Sequence, residues 1–206
     1  MSPITIEPLS GDESFGAEIS GVDLAWIVPV DPSDHHNAKE RKELVQSIYQ
    51  AFLQYGVVVF RDQHEVAPEQ YLQVAKIFGE VSGYPFAKGM DGYPAITEII
   101  KEEHQTSNFG GMWHSDTTYL TRPPKCTMLY AVQTPPYGMG DTLFADMYRA
   151  YENLSEETRN QLEGRRVIQS SSLNAAVLRG HHLTSGSMKQ KEESQAQPLV
   201  VAPCPQ

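Results

Sequence analysis

The chain has few of the features that mark secreted or membrane-spanning proteins. Its 206 residues include only two cysteines, Cys126 and Cys204, which cannot build a disulfide framework and favour a reducing compartment. No stretch approaches the roughly 20 consecutive apolar residues that a membrane span needs. The first residues also lack the basic and apolar regions of a secretory signal. We therefore expect a cytoplasmic protein with no membrane partner.

Positive charge is also scarce, because the chain has 16 Lys and Arg residues and 26 Asp and Glu residues. Its net charge is −10. Such a charge repels phosphates and argues against a nucleic-acid partner. An anionic ligand would need a local basic group instead. The hydrophobic content of 40% and the charged content of 20% are ordinary for a globular protein, and the length predicts one domain over residues 1–206.

Hydrophobic periodicity and end signals predict the secondary structure. Residues 4–24 are typical of short strands and turns. Helices are predicted at residues 37–55, from Pro68 to the stop at Gly79, at 145–153 and at 156–163, the last one capped by Ser155. Strands are predicted at residues 57–60, 96–101 and 126–133.

The triplet His114-Ser-Asp116 is the first candidate for chemistry. Side chains two residues apart on an extended segment turn to the same side, so the imidazole and the carboxylate can face one ligand. Two His and one carboxylate on one face are the protein ligands of many non-haem Fe(II) centres. A His-x-acid triplet is nevertheless expected about once by chance in a chain with 7 His and 26 acidic residues. Its interpretation therefore depends on the surrounding sequence.

The surrounding blocks resemble, in order, the TauD/TfdA family of Fe(II)/2-oxoglutarate-dependent dioxygenases, over about residues 4 to 200. They are Gly16-Ala-Glu-Ile-Ser-Gly-Val-Asp-Leu24, Gly56-Val-Val-Val-Phe-Arg-Asp-Gln63, Pro68-Glu-Gln70 with Phe78-Gly-Glu80, Trp113-His-Ser-Asp-Thr-Thr-Tyr119 with Pro123-Pro124, and Gly140-Asp-Thr-Leu-Phe-Ala-Asp-Met147 with Ala150-Tyr-Glu-Asn-Leu-Ser155. Five ordered blocks are specific where a single one would be weak.

The resemblance implies an α+β fold, a distorted double-stranded β-helix (jelly roll) with flanking helices. It implies Fe(II) as the metal, 2-oxoglutarate as the cosubstrate and O2 as a reactant. The expected reaction is hydroxylation of a small organic acid, such as a sulfonate or an aryloxyacid, with release of succinate and CO2. His114 and Asp116 then correspond to metal ligands, and Thr142 corresponds to the residue whose hydroxyl holds a 2-oxoglutarate carboxylate.

Three further residues are candidates for contacts to an anionic substrate. Asn108 lies in the loop before the triplet and could hydrogen-bond a polar group, although an amide in a Gly-rich loop is equally typical of a turn. Lys88 and Lys101 could bind an anionic end as point charges, although most lysines are simply solvated.

The resemblance stops before the family's distal His and cosubstrate Arg. Residues 197–200 look like the start of the block that leads there, and residues 201–206 depart from the pattern. His181 follows Asp116 too closely to match the distal His. We therefore expect a jelly roll that is incomplete at its C-terminus, with exposed strand edges and apolar surface. The alternatives are an active dioxygenase and a non-catalytic truncated fragment, and a homo-oligomer stays open. A zinc hydrolase would need a third ligand and a base that no motif offers.

Overall fold

The computed structural model of the protein describes residues 4–9, 15–28, 37–63, 66–106, 111–136, 138–170 and 194–198. Within them the order of elements is β1 (Thr5–Pro8), β2 (Ala17–Ser20), α1 (Leu24–Ile27), α2 (Ala38–Tyr55), β3 (Val58–Phe60), α3 (Pro68–Phe78), α4 (Met147–Glu152), α5 (Glu156–Leu162), β4 (Arg166–Ser170) and β5 (Ser194–Pro198). This mixture confirms the α+β class. The chain divides into two compact units, the first formed by residues 1–83 and 89–96 and the second by residues 84–88 and 97–206.

The first unit is built on a three-stranded sheet in the order β1-β2-β3. β2 pairs antiparallel with β1 and parallel with β3, with Ala17 opposite Val58. Alternate side chains of a strand share a face, and Ala17 and Ile19 of β2 are both fully buried. Ile48 and Ala51 of α2 and Val74 and Phe78 of α3 complete the main apolar core.

The ends of the two long helices are where the sequence predicts them. α2 ends at Gly56, which has a φ of +71° and donates its N–H to Phe52 O at 2.9 Å. A Cβ at Gly56 would lie 3.3 Å from the Phe15 ring, so glycine suits this position for two reasons. α3 begins at Pro68, and the Gln70 side chain accepts the Ala67 N–H at 3.3 Å. The boundaries predicted from Gly56, Pro68 and Gly79 are confirmed.

The second unit has a two-stranded antiparallel sheet and two short helices. β4 and β5 pair with Arg166 opposite Pro198. Asp146 caps α4 by accepting hydrogen bonds from the N–H groups of Tyr148 and Arg149. Ser155 caps α5 by accepting a hydrogen bond from the Thr158 N–H, which confirms the predicted cap. The Thr118 hydroxyl donates to Gln169 Oε1 at 3.2 Å. This bond attaches the segment that follows His114 and Asp116 to β4.

Two predicted strands are wrong. Residues 96–101 and 126–133 form no strand in the structure. Residues 126–130 alternate between half-buried and exposed, but they belong to neither of the two sheets of the described residues. A strand requires a partner for its N–H and C=O groups, and the alternation of side chains alone cannot supply one. Among the helices that the structure describes, none is long and apolar enough to cross a membrane.

Candidate metal centre

His114 and Asp116 lie where an irregular segment passes into a turn. Residues 113–115 have no regular secondary structure, and the turn covers residues 116–119, with the Leu120 N–H donating to Thr117 O at 3.0 Å. Thr117 has a φ of +46°, which is rare for a β-branched residue. The sequence predicts that a continuous extended segment carries the pair. This prediction is wrong, because the turn begins at Asp116 itself.

The two side chains nevertheless face each other. His114 Nε2 lies 3.2 Å from Asp116 Oδ1, and the two side chains are 47% and 48% exposed. His114 Nδ1 lies 2.6 Å from the backbone oxygen of Met112. A carbonyl oxygen can only accept, so Nδ1 carries the proton of that hydrogen bond. In the neutral imidazole, the lone pair of Nε2 is then directed to the space beside Oδ1.

The second oxygen of Asp116 is also held. The Thr127 hydroxyl donates to Asp116 Oδ2 at 2.6 Å, the short distance typical of a hydrogen bond to an ionised carboxylate. Each side chain of the pair is thus anchored through its outer atom, His114 by Met112 and Asp116 by Thr127. The inner atoms, Nε2 and Oδ1, are left facing one another.

This arrangement fits two neighbouring ligands of one divalent ion. Two acceptors at 3.2 Å need a proton or a cation between them. Two ligands at right angles, each with a bond of about 2.1 Å, stand about 3 Å apart. The pair therefore matches the spacing that a shared metal ion requires. Across the described ranges, no group of three or more His, Cys, Asp or Glu side chains is placed to hold a metal.

Aromatic side chains of the second unit surround this turn. Tyr119 is 3% exposed, and its ring lies 5.6 Å from that of Phe86, which stacks edge-on against Tyr84 at 5.7 Å. Burial raises the pKa of the Tyr84 phenol, and the negative charge of Asp116 raises it further. Tyr84 therefore keeps its proton at neutral pH and can act near the pair only as a neutral group.

The other predicted site residues are less constrained. Thr142 is exposed and lies two residues after Gly140. Gly140 has a φ of +73°, and a Cβ there would lie 2.9 Å from the Pro135 side chain. Lys88 and Lys101 are both exposed in the second unit, and each takes part in an interaction. Asn108 lies outside the described residues. The structure thus brings together His114 and Asp116 and leaves the roles of the other four as predictions.

Three contributors to the centre were not predicted. They are the Met112 carbonyl, the Thr127 hydroxyl and the Tyr84 ring. The Met112 contact could have been anticipated, because a metal-binding imidazole commonly donates its other N–H to a carbonyl. Thr127 and Tyr84 lie 11 and 32 residues from Asp116. No local pattern indicates contacts at such separations.

Comparison with known proteins identifies the family of this chain. A family model described as "Taurine catabolism dioxygenase TauD, TfdA family" matches residues 5–202. The chain therefore belongs to the TauD/TfdA family.

Two curated relatives and one solved structure illustrate the similarity. Pentalenolactone F synthase of Streptomyces avermitilis is 34% identical over 165 residues, which cover 76% of this chain and 50% of the relative. An alpha-ketoglutarate-dependent sulfate ester dioxygenase of Pseudomonas putida is 27% identical over 176 residues, which cover 85% of this chain and 52% of the relative. The crystal structure of AAD-2 in complex with Mn(II) and N-oxalylglycine matches with a TM-score of 0.58 and 25% identity, covering 96% of this chain and 64% of that chain.

The chain spans about half the length of the curated relatives that it matches. Both relatives are named as enzymes, so neither supports the alternative of a non-catalytic fragment.

Proposed function

We propose that this chain carries part of the centre of an Fe(II)- and 2-oxoglutarate-dependent dioxygenase with a jelly-roll core. Its substrate would be a small organic acid, such as a sulfonate, an aryloxyacid or a similar anion. The observation that carries the proposal is the pair itself, with His114 Nε2 and Asp116 Oδ1 3.2 Å apart and both outer atoms anchored. The family membership and the alpha-ketoglutarate dependence of the Pseudomonas relative support it.

In this proposal His114 and Asp116 hold the metal through Nε2 and Oδ1. Fe(II), bound together with 2-oxoglutarate and O2, supplies the oxidising chemistry that hydroxylates the substrate and releases succinate and CO2. The contribution of the two side chains is a fixed geometry and one negative charge. Met112 keeps the imidazole in the tautomer that leaves Nε2 able to bind a cation.

The remaining predicted residues would bind the anions. Thr142 offers a hydroxyl to a carboxylate of 2-oxoglutarate, while Lys88 and Lys101 offer positive charge to the acidic end of the substrate. Such local charges matter because the net charge of −10 repels both anions from the molecule as a whole. Asn108 would add an amide hydrogen bond to a polar group of the substrate.

The test is an anaerobic titration of the 206-residue chain with Fe(II) in the presence of 2-oxoglutarate, followed by visible spectroscopy. Chelation of Fe(II) by the keto acid gives a metal-to-ligand charge-transfer band, and we expect this band to saturate with added metal. His114→Ala should abolish the saturable band because it removes one of the two ligand atoms.

His104→Ala is the matched control, because His104 is an exposed histidine of the same unit that lies outside the pair. It should leave the band unchanged. Absence of the band in the native chain, with circular dichroism showing folded protein, would contradict the proposal. Retention of the saturable band in His114→Ala would show that the metal binds elsewhere.

A further inference from the structure

We propose that Thr127 is a positioning residue of the metal centre. Its hydroxyl would fix the Asp116 carboxylate so that Oδ1 alone is presented to the metal. The inference rests on the proposed function, because it gives Thr127 a role at the same ion. It adds to the sequence-derived site a residue that touches neither metal nor substrate.

The geometry assigns the two carboxylate oxygens to different partners. Oδ2 receives the Thr127 hydroxyl at 2.6 Å, and Oδ1 faces His114 Nε2 at 3.2 Å. The terminal torsion of an aspartate is broad, so nothing in the side chain itself fixes the orientation of the carboxylate. The hydrogen bond from Thr127 fixes that orientation, because turning the carboxylate out of its plane would break the bond.

The position of Thr127 in the chain makes this contact a property of the fold. Thr127 lies in the segment 126–130, in which half-buried and exposed residues alternate, and it occupies an exposed position between the half-buried Cys126 and Met128. Its neighbours therefore anchor the backbone while its hydroxyl reaches Asp116, 11 residues earlier. The turn at 116–119 is itself attached to β4 through Thr118 and Gln169.

Loss of the hydroxyl has a defined consequence for the ion. Without Thr127 the carboxylate can rotate or offer both oxygens, so the metal meets an ensemble of geometries instead of one. Removing an outer hydrogen-bond partner of a metal ligand typically weakens metal binding by about 10- to 100-fold. Asp116 is half-exposed, so water replaces part of the lost bond, and we expect about a 10-fold effect.

The experiment measures metal binding without turnover. Mn(II) dissociation constants are determined by electron paramagnetic resonance of the free ion for the native chain and for Thr127→Val, Thr127→Ser and Thr134→Val. We expect about a 10-fold weaker affinity for Thr127→Val, native affinity for Thr127→Ser, which keeps the hydroxyl, and native affinity for Thr134→Val, an exposed threonine outside the centre. The visible spectrum of bound Co(II), recorded at saturation, should change only in Thr127→Val, because it reports the coordination geometry.

Each outcome is decisive. Native-like affinity and an unchanged Co(II) spectrum in Thr127→Val would overturn the role of Thr127 and leave the metal centre standing. Equal weakening in Thr127→Ser and Thr127→Val would also overturn it, since keeping the hydroxyl in Thr127→Ser would then preserve nothing. If the native chain and His114→Ala bind Mn(II) alike, the proposed function itself fails. Circular dichroism and thermal unfolding identify any variant that does not fold.

Discussion

Thr117 departs most clearly from local rules, and it directly follows Asp116. Its φ of +46° is unfavourable for a β-branched side chain, and its hydroxyl is buried without a hydrogen-bond partner among the described residues. Thr117 itself is only 8% exposed. Both features cost free energy, and such costs concentrate where a turn must hold functional groups in one place. At Asp116 the resulting turn directs the carboxylate to His114.

We predict that Thr117→Val stabilises the chain by about 1 kcal/mol, because it removes a buried hydroxyl that makes no hydrogen bond. Valine has the same shape and the same difficulty with positive φ, so the comparison isolates the hydroxyl. The free energy of unfolding in urea gives the measurement, and Thr106→Val at an exposed position should change it by less than about 0.5 kcal/mol. A loss of stability in Thr117→Val would show that a water molecule or a bound group satisfies the hydroxyl.

Whether a site residue could be predicted depends on how far apart in the sequence its contacts lie. His114 and Asp116 could be predicted because the motif is only three residues long and stands in a recognisable block. Thr127 could not, because its contact with Asp116 depends on how residues 111–136 fold back on themselves. Sequence patterns report local spacing, and a hydrogen bond across 11 residues is set by the fold.

At the scale of elements, helices were predicted more accurately than strands. The apolar faces of α2 and α3 predict both helices. Pro68 marks the start of α3, and Gly56 and Gly79 mark the ends of α2 and α3. A helix satisfies its hydrogen bonds internally, so these signals suffice. The predictions at 96–101 and 126–133 failed because a strand is defined by its partner, and a partner can lie anywhere in the sequence.

Gln63 connects two elements of the first unit through three hydrogen bonds. Its Oε1 accepts the Leu24 N–H at 2.9 Å, and its Nε2 donates to Val22 O at 2.9 Å and to Arg61 O at 2.8 Å. The side chain therefore ties the start of α1 to the residues that follow β3. It lies in the block at residues 56–63 that identified the family.

We predict that Gln63→Glu lowers the free energy of unfolding by about 2 kcal/mol. The substitution keeps the shape and the acceptor for Leu24, but it places a carboxylate oxygen against the two carbonyls of Val22 and Arg61. Urea unfolding measures the loss, with Gln50→Glu on the exposed face of α2 as the control for the added charge. If both variants lose the same stability, charge rather than the lost donor is responsible.

At the scale of the whole molecule, the apolar side chains are distributed unequally between the two units. Among the described residues, nine of the ten buried hydrophobic ones belong to the first unit, and Tyr119 is the exception. Thirteen of the fifteen exposed large hydrophobic residues that the structure describes belong to the second unit, among them Trp113 and Leu129. Burial of apolar surface is the main stabilising term in folding, so the first unit should resist opening more strongly than the second.

Hydrogen exchange of the helices provides the test. α2 buries Ile48 and Ala51, whereas α4 and α5 contain no buried residue. Opening α2 exposes the core, and opening α5 exposes little, so we expect amides of α2 to exchange at least about 100-fold more slowly than those of α5. Mass spectrometry or NMR at two protein concentrations measures the rates. Equal protection of the α2 and α5 amides, at both concentrations, would contradict the unequal distribution of stability. Protection of α4 and α5 that rises with concentration would show instead that a second copy of the chain covers the exposed apolar side chains.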